Sequence, residues 1–199
     1  MTIRPTQFST VSLLAVLLVS CIAALPAHGQ EPTNDVADLL NRLRPSAADG
    51  WNQPSRQNKM QALRVVRQTG LGPVARALRT AADPSTRQAA ALVLGHVGDQ
   101  EGVDTDEALA LLIETLRTPD EVSRVQAQAA LSMGYVGDSR GVAPLTRVLE
   151  DAASPDVRVA AARGLGLIGG EAARTSLLDA RNDPLARVRQ AIAEALAIV

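Results

Sequence analysis

The sequence is poor in the residues on which metal sites and most catalytic centres depend. One cysteine occurs in 199 residues, so no disulfide can close within the chain. Of two histidines, His28 falls in an N-terminal segment described below. His96 is left without a second histidine or cysteine to complete a transition-metal site. Aromatic residues make up 2% against 46% hydrophobic, so alanine, leucine and valine must build the core. Charge excess is missing too. Removing residues 1–29 takes away Arg4 alone, so 20 basic residues become 19 against 21 acidic ones, which argues against a generally nucleic-acid-binding surface. There is no Ser-His-Asp set, glycine-rich phosphate loop or Walker motif. Asp99, Glu101, Asp104 and Asp106 lack the sixth-position glycine and twelfth-position glutamate of a calcium loop, and read as a solvated loop with helix N-terminal charge.

What is present is a repeat. The stretch RQAAALVLGHVGD from Arg87 returns as QAQAALSMGYVGD from Gln126 and RVAAARGLGLIGG from Arg158, and a shorter copy, RQAIAEALAIV, starts at Arg189. With Gly95, Gly134, Gly166 and Ala197 equivalent, successive copies are 39, 32 and 31 residues apart, the spacing of helical-repeat stacks. Within each copy the apolar positions recur at helical spacing: Ala90, Ala91, Leu94 and Val97, then Ala129, Ala130, Met133 and Val136, then Ala161, Ala162, Leu165 and Ile168. The small residues allow neighbouring backbones to approach. Gly98, Gly137 and Gly169 suit the left-handed position past a helix end.

Helix starts are expected at Asp83-Pro84, Thr118-Pro119, Ser154-Pro155 and Asp183-Pro184, where a capping side chain precedes a proline, with Thr118 and Glu121 fitting a capping box. Second helices are expected at 105–117, 143–152 and 171–180. A more degenerate first repeat starts near Pro54-Ser55, runs to about Gln68, and turns at Gly70-Leu71-Gly72-Pro73 into a helix over 74–81. Ahead of it, Asn34 caps a helix over 35–44 with Val36, Leu39, Leu40 and Leu43 on one face. Its expected role is to cover the open end of the stack, with Trp51 packing beside it.

The pattern resembles the short HEAT-like repeats named after the phycocyanobilin lyases, whose signature runs Asp, Val-Arg, an alanine-rich stretch, Leu-Gly, Val or Ile, and Gly-Asp. Asp156-Val157-Arg158 with Leu165-Gly166-Leu167-Ile168-Gly169 carries it most fully. The resemblance spans roughly residues 53–199 and implies an all-α fold, a right-handed α-solenoid of stacked helix-turn-helix repeats. It does not select a function, because the family includes lyases, hydroxylases and plain scaffolds. HEAT-like deoxyhypusine hydroxylases hold two irons through repeated His-Glu pairs. Here His96 precedes Val97, and its equivalents are Tyr135, Leu167 and Ile198. A bilin lyase needs a tetrapyrrole pocket, for which the chain offers few aromatics. No cofactor, no metal site and no catalytic residues are expected. The resemblance also implies that an aspartate near a helix start and an arginine within it bond between neighbouring repeats, with Asp83, Asp156 and Asp183 placed beside Arg87, Arg158 and Arg189. Gln126 breaks this series, although Arg124 lies half a turn away, and a looser interface is expected there.

Residues 1–29 read as a secretory signal, with Arg4, an apolar run from Val11 to Leu25 that is short for a membrane span, and a small-x-small site at Ala27-His28-Gly29 before Gln30. Leu18-Val19-Ser20-Cys21 also resembles a bacterial lipobox, in which Cys21 would be lipidated; the run continuing through Leu25 favours ordinary cleavage. The chain therefore divides into 1–29, a signal; 30–52, a capping helix and loop; and 53–199, about four and a half repeats (53–82, 83–117, 118–153, 154–182 and 183–199). The expected product is exported, periplasmic or extracellular, and anchored to a membrane only if Cys21 is lipidated.

The function expected is binding of another protein or peptide, without nucleic acid and without catalysis. The alternative is a HEAT-like enzyme or an accessory subunit of one. Second helices normally line the concave side of such a stack, and Glu107, Glu114, Arg117, Arg147, Glu150, Arg174 and Arg181 are the exposed candidates for a binding face. The oligomeric state is left open. The last copy, 185–199, either packs onto 171–180 as a cap or meets a partner or a second copy through Ile198.

Overall fold

The computed structural model describes residues 36–43, 56–97 and 103–199, the side chains of 56–59 excepted. Ten α-helices follow one another among the described residues, with no strand: α1 Val36–Leu43, α2 Arg56–Thr69, α3 Gly72–Thr80, α4 Pro84–Gly95, α5 Thr105–Arg117, α6 Ser123–Val136, α7 Val142–Asp151, α8 Pro155–Ile168, α9 Gly170–Asp179 and α10 Ala186–Leu196. Short 3-10 turns at Ser139–Gly141 and Ala180–Asn182 lead into α7 and out of α9. All belong to the unit Asp35–Val199, and the architecture is an α-solenoid of stacked helix pairs.

The alanine-rich helices α4, α6, α8 and α10 stack directly on one another in sequence order. Burial follows from that position. Gln88 to Gly95 is an unbroken buried run, and α6 and α8 carry long buried stretches of their own. The second helices α3, α5 and α7 are buried on one face only, through Val74, Ala75 and Leu78, then Ala108, Leu109, Leu111 and Leu112, then Leu145 and Leu149. Each presses most closely on the alanine-rich helix that follows it, α3 on α4, α5 on α6 and α7 on α8. Helix α1 buries Val36, Leu39, Leu40 and Leu43 against α2 and α4, as its amphipathic spacing requires.

The spine has a repeated backbone contact. A Cβ added to Gly95 would stand 2.7 Å from the Ser132 side chain, one on Gly134 2.7 Å from the Gly164 Cα, and one on Gly166 2.9 Å from the Ala195 Cβ. Ser132, Gly164 and Ala195 each lie two residues before the position equivalent to that glycine in the next copy. Each glycine therefore receives a small residue from its neighbour, so the helices meet backbone to backbone.

Some expected ends differ. Asp83 caps α4 as foreseen, its carboxylate accepting from the Ser85 and Thr86 amides, and Ser154 with Pro155 starts α8 without a side-chain cap bond. Thr118, in contrast, ends α5, and α6 begins five residues later behind Val122. No capping box forms. The Thr118 hydroxyl donates to the Glu114 carbonyl, and the Glu121 carboxylate is drawn elsewhere. Asp183 likewise precedes the start of α10 behind Leu185, whose amide it accepts. Gly137 takes the left-handed position after α6, φ 73° and ψ 11°, while Gly169 has positive φ with extended ψ. The final helix packs chiefly on α8 rather than on 171–180, because Ala195 seats against Gly166, and Ile198 is exposed. The signal-like segment with Cys21, the loop with Trp51, and Gly98, Asp99 and Glu101 lie outside the described residues.

Candidate interaction face

An arginine four residues after the N-cap is the recurring polar element of the stack. Arg87 donates through Nη1 to the Ala81 carbonyl at 2.6 Å, Arg158 to Ala152 at 2.7 Å and Arg189 to Asp183 at 2.9 Å. These acceptors are the residues ending α3, α7 and the turn Ala180–Asn182. Carbonyls at a helix end have no partner of their own, and the arginine supplies one. The planar guanidinium has donors left over. Arg87 uses Nε and Nη2 on the Glu121 carboxylate at 2.9 and 2.8 Å, and Arg158 uses Nε on Asp183 at 3.0 Å. Both pairs are largely withdrawn from water, with Arg87 and Glu121 16% and 9% exposed and Arg158 and Asp183 12% and 9%. Donating to Glu121 holds the Arg87 guanidinium above its ordinary range.

This corrects the expected pairing. Only Asp183 of the three aspartates meets a series arginine across the repeat boundary. Asp83 caps its own helix, and Asp156 binds Arg187 at 2.5 Å on the outside. Glu121, absent from that expectation, is the partner of Arg87. At Gln126 the series keeps one arm and loses the other: Nε2 reaches the Thr118 carbonyl at 3.2 Å, but Ala152 and Ala153 stand where the following repeat would present a carboxylate.

The second helices are joined to one another differently at each step. Between α3 and α5, Arg79 grips Glu114 with two nitrogens, Nη2 at 2.7 Å and Nε at 3.2 Å, and this holds the Glu114 carboxyl below its usual range. Between α7 and α9, the Thr146 and Ser176 hydroxyls lie 2.7 Å apart. Counting back from Ala81, Thr118 and Ala152, the residues that end α3, α5 and α7, the pair Arg79 and Glu114 corresponds to Leu116 and Val148 in the α5–α7 step. No polar bridge forms there. The opposite end of that step is held by Arg140, which binds Asp106 and Asp138, both at 2.5 Å. Where the bridge is missing, a groove of about 530 Å³ opens, with Leu116, Pro119, Val148 and Val157 on its walls and Arg117 and Arg147 among its lining.

The seven residues named from sequence are all exposed, but the structure brings together only some of them. Arg117 and Arg147 share the α5–α7 groove, and Glu114 and Arg117 share a shallower hollow on α5. Glu114 is engaged by Arg79, Arg147 lies 3.7 Å from Asp151, and Arg174 lies 3.8 Å from Glu171. Arg181 sits in the turn after α9 and donates to the Leu178 carbonyl. Glu107 and Glu150 join neither hollow. Sequence reasoning missed Leu116 and Val148 as a pair, because only their correspondence with Arg79 and Glu114 in the stack singles them out.

Among the described residues no three His, Cys, Asp or Glu side chains cluster as a metal site, and no helix is long and apolar enough to cross a membrane. His96 lies with its ring 5.1 Å from that of Tyr135, tilted by 34°. Residues 109–197 match the family described as HEAT repeats. No curated protein matches the chain.

Proposed function

The chain is a HEAT-repeat protein, and we propose that it is a non-enzymatic scaffold, exported from the cytoplasm, that holds another protein or peptide on the solvent-exposed, concave side lined by α5, α7 and α9. HEAT repeats commonly mediate contacts between proteins. The observation that carries the reading is the division of the stack. The alanine-rich helices are consumed by their own packing, while the second helices offer the charged, solvated surface of Glu107, Arg117, Arg147, Glu150 and Arg174, split by a groove. An arrangement of this kind recognises extended surfaces, as solenoid proteins do, and places no convergent set of acid, base and nucleophile around a reacting atom.

Affinity capture from the native envelope fraction tests the face. Arg147→Glu combined with Arg174→Glu reverses two exposed charges and should leave folding intact while weakening capture of the partner. Unchanged capture would remove this face. Export rests on residues 1–29, and intact-mass analysis should find Gln30 at or near the mature N-terminus. A chain beginning at acylated Cys21 would make the protein a membrane-anchored lipoprotein instead.

A further inference from the structure

We propose that the α5–α7 groove is a docking slot for an extended segment of a partner protein that carries an apolar side chain next to a carboxylate. The proposal rests on the scaffold reading and narrows it to one place on the molecule.

Two ties that the α3–α5 step carries are both absent at this groove. At the first stands Gln126, which reaches the Thr118 carbonyl but has no second arm, opposite Ala152 and Ala153, which offer it no carboxylate. At the second stands the pair Leu116 and Val148, apolar where the α3–α5 step has the Arg79–Glu114 bridge. Either absence alone would leave a step half held. With both absent, one end of α5 and α7 has no such tie, whereas at the opposite end Arg140 bonds across to Asp106. What opens is a cleft of about 530 Å³, within the range of roughly 300–1,000 Å³ that ligand clefts occupy. Its apolar walls suit an aliphatic or proline side chain.

The charge at its edge selects the rest of the occupant. Four charged residues line the groove: Arg117, Glu121, Arg147 and Asp151. Glu121 is already held by Arg87 through two bonds. Asp151 approaches Arg147 no closer than 3.7 Å, with both side chains more than two-thirds exposed. Arg117 forms no ion pair among the described residues. A guanidinium is built for a carboxylate, so an acidic residue beside the buried apolar one completes the charges that the groove leaves open.

Restoring the pattern should close the slot. Gln126→Arg with Ala153→Glu rebuilds the rung on the plan of Arg87 and Glu121, and it should melt no lower than the native chain. Short random peptides displayed on phage and selected on the immobilised full chain provide the probe. Enriched peptides should pair an aliphatic residue or proline with an adjacent Asp or Glu. They should lose affinity about tenfold or more both on the rung-restored variant and on Arg117→Glu/Arg147→Glu, whose exposed positions keep the test valid should the first variant fail to fold. Enriched peptides that bind both variants as tightly as the native chain would overturn the slot, while the scaffold reading would still stand or fall with capture of the partner from the envelope fraction. Failure to enrich any peptide would overturn it as well. A dimer of the chain that the rung-restored variant dissociates would overturn it by assigning the groove to a second copy.

Discussion

At the scale of single residues the stack is held by absences of side chain as much as by presence. Gly164 has no room for a methyl group: a Cβ there would stand 2.7 Å from the Ala130 carbonyl oxygen and 3.1 Å from Leu145. The carbonyl oxygen, being backbone, cannot retreat without moving α6. Gly164→Ala should therefore cost about 1–3 kcal/mol, the usual penalty for overpacking, even though alanine is the better helix former. Gly72, which starts α3, has nothing within 4 Å of the same position, and Gly72→Ala should be neutral or slightly stabilising. Thermal melts of the two variants give the comparison; equal melting points would mean that the spine can spread. The small residues were legible in the sequence as a repeated Ala and Gly pattern. Their pairing was not, because Gly95 meets Ser132 and Gly166 meets Ala195 across a stagger that depends on how the helices cross.

At the scale of elements, helix positions were legible wherever the signal is local. Thr105–Arg117 was expected within the bounds observed, and Asp104 caps it through the Asp106 and Glu107 amides. The start of α6 was misread for a physical reason. Proline at 119 follows Thr118 as it would at a helix start, but in this longer copy the extra residues form a turn that carries Glu121 to Arg87, and the helix waits until Ser123. Carboxylate partners taken from a neighbouring repeat, such as Glu121 for Arg87, depend on the stacking geometry, and the sequence holds no local mark of them. Their energetic weight is testable. Arg158→Ala takes the cation from a nearly buried Asp183 carboxylate, which keeps only the Leu185 amide, and removes the donor to the Ala152 carbonyl; it should lower stability by about 2–4 kcal/mol. Arg147→Ala, 82% exposed and distant from its acid, should change stability by less than about 0.5 kcal/mol. Denaturant titration distinguishes the two, and equal small effects would mean that the buried pair contributes no more than a surface one.

For the molecule as a whole, the two kinds of helix do different work. The alanine-rich helices α4, α6, α8 and α10 form the spine, and α5 and α7 present what the spine leaves unused. The repeat made the solenoid legible from residues alone. The proposed binding face was legible only as a set of exposed charges, since the feature that singles out one place among them is an apolar pair, Leu116 and Val148, on helices about thirty residues apart in sequence. Hydrogen exchange of the full chain, free and with a peptide selected on it, addresses this division directly. In the free chain the amides of α4, α6 and α8 should exchange slowest, and the peptide should slow exchange at the C-terminal turn of α5 and in α7 while leaving the spine as it was. Added protection confined to the spine helices, or none on α5 and α7, would contradict it.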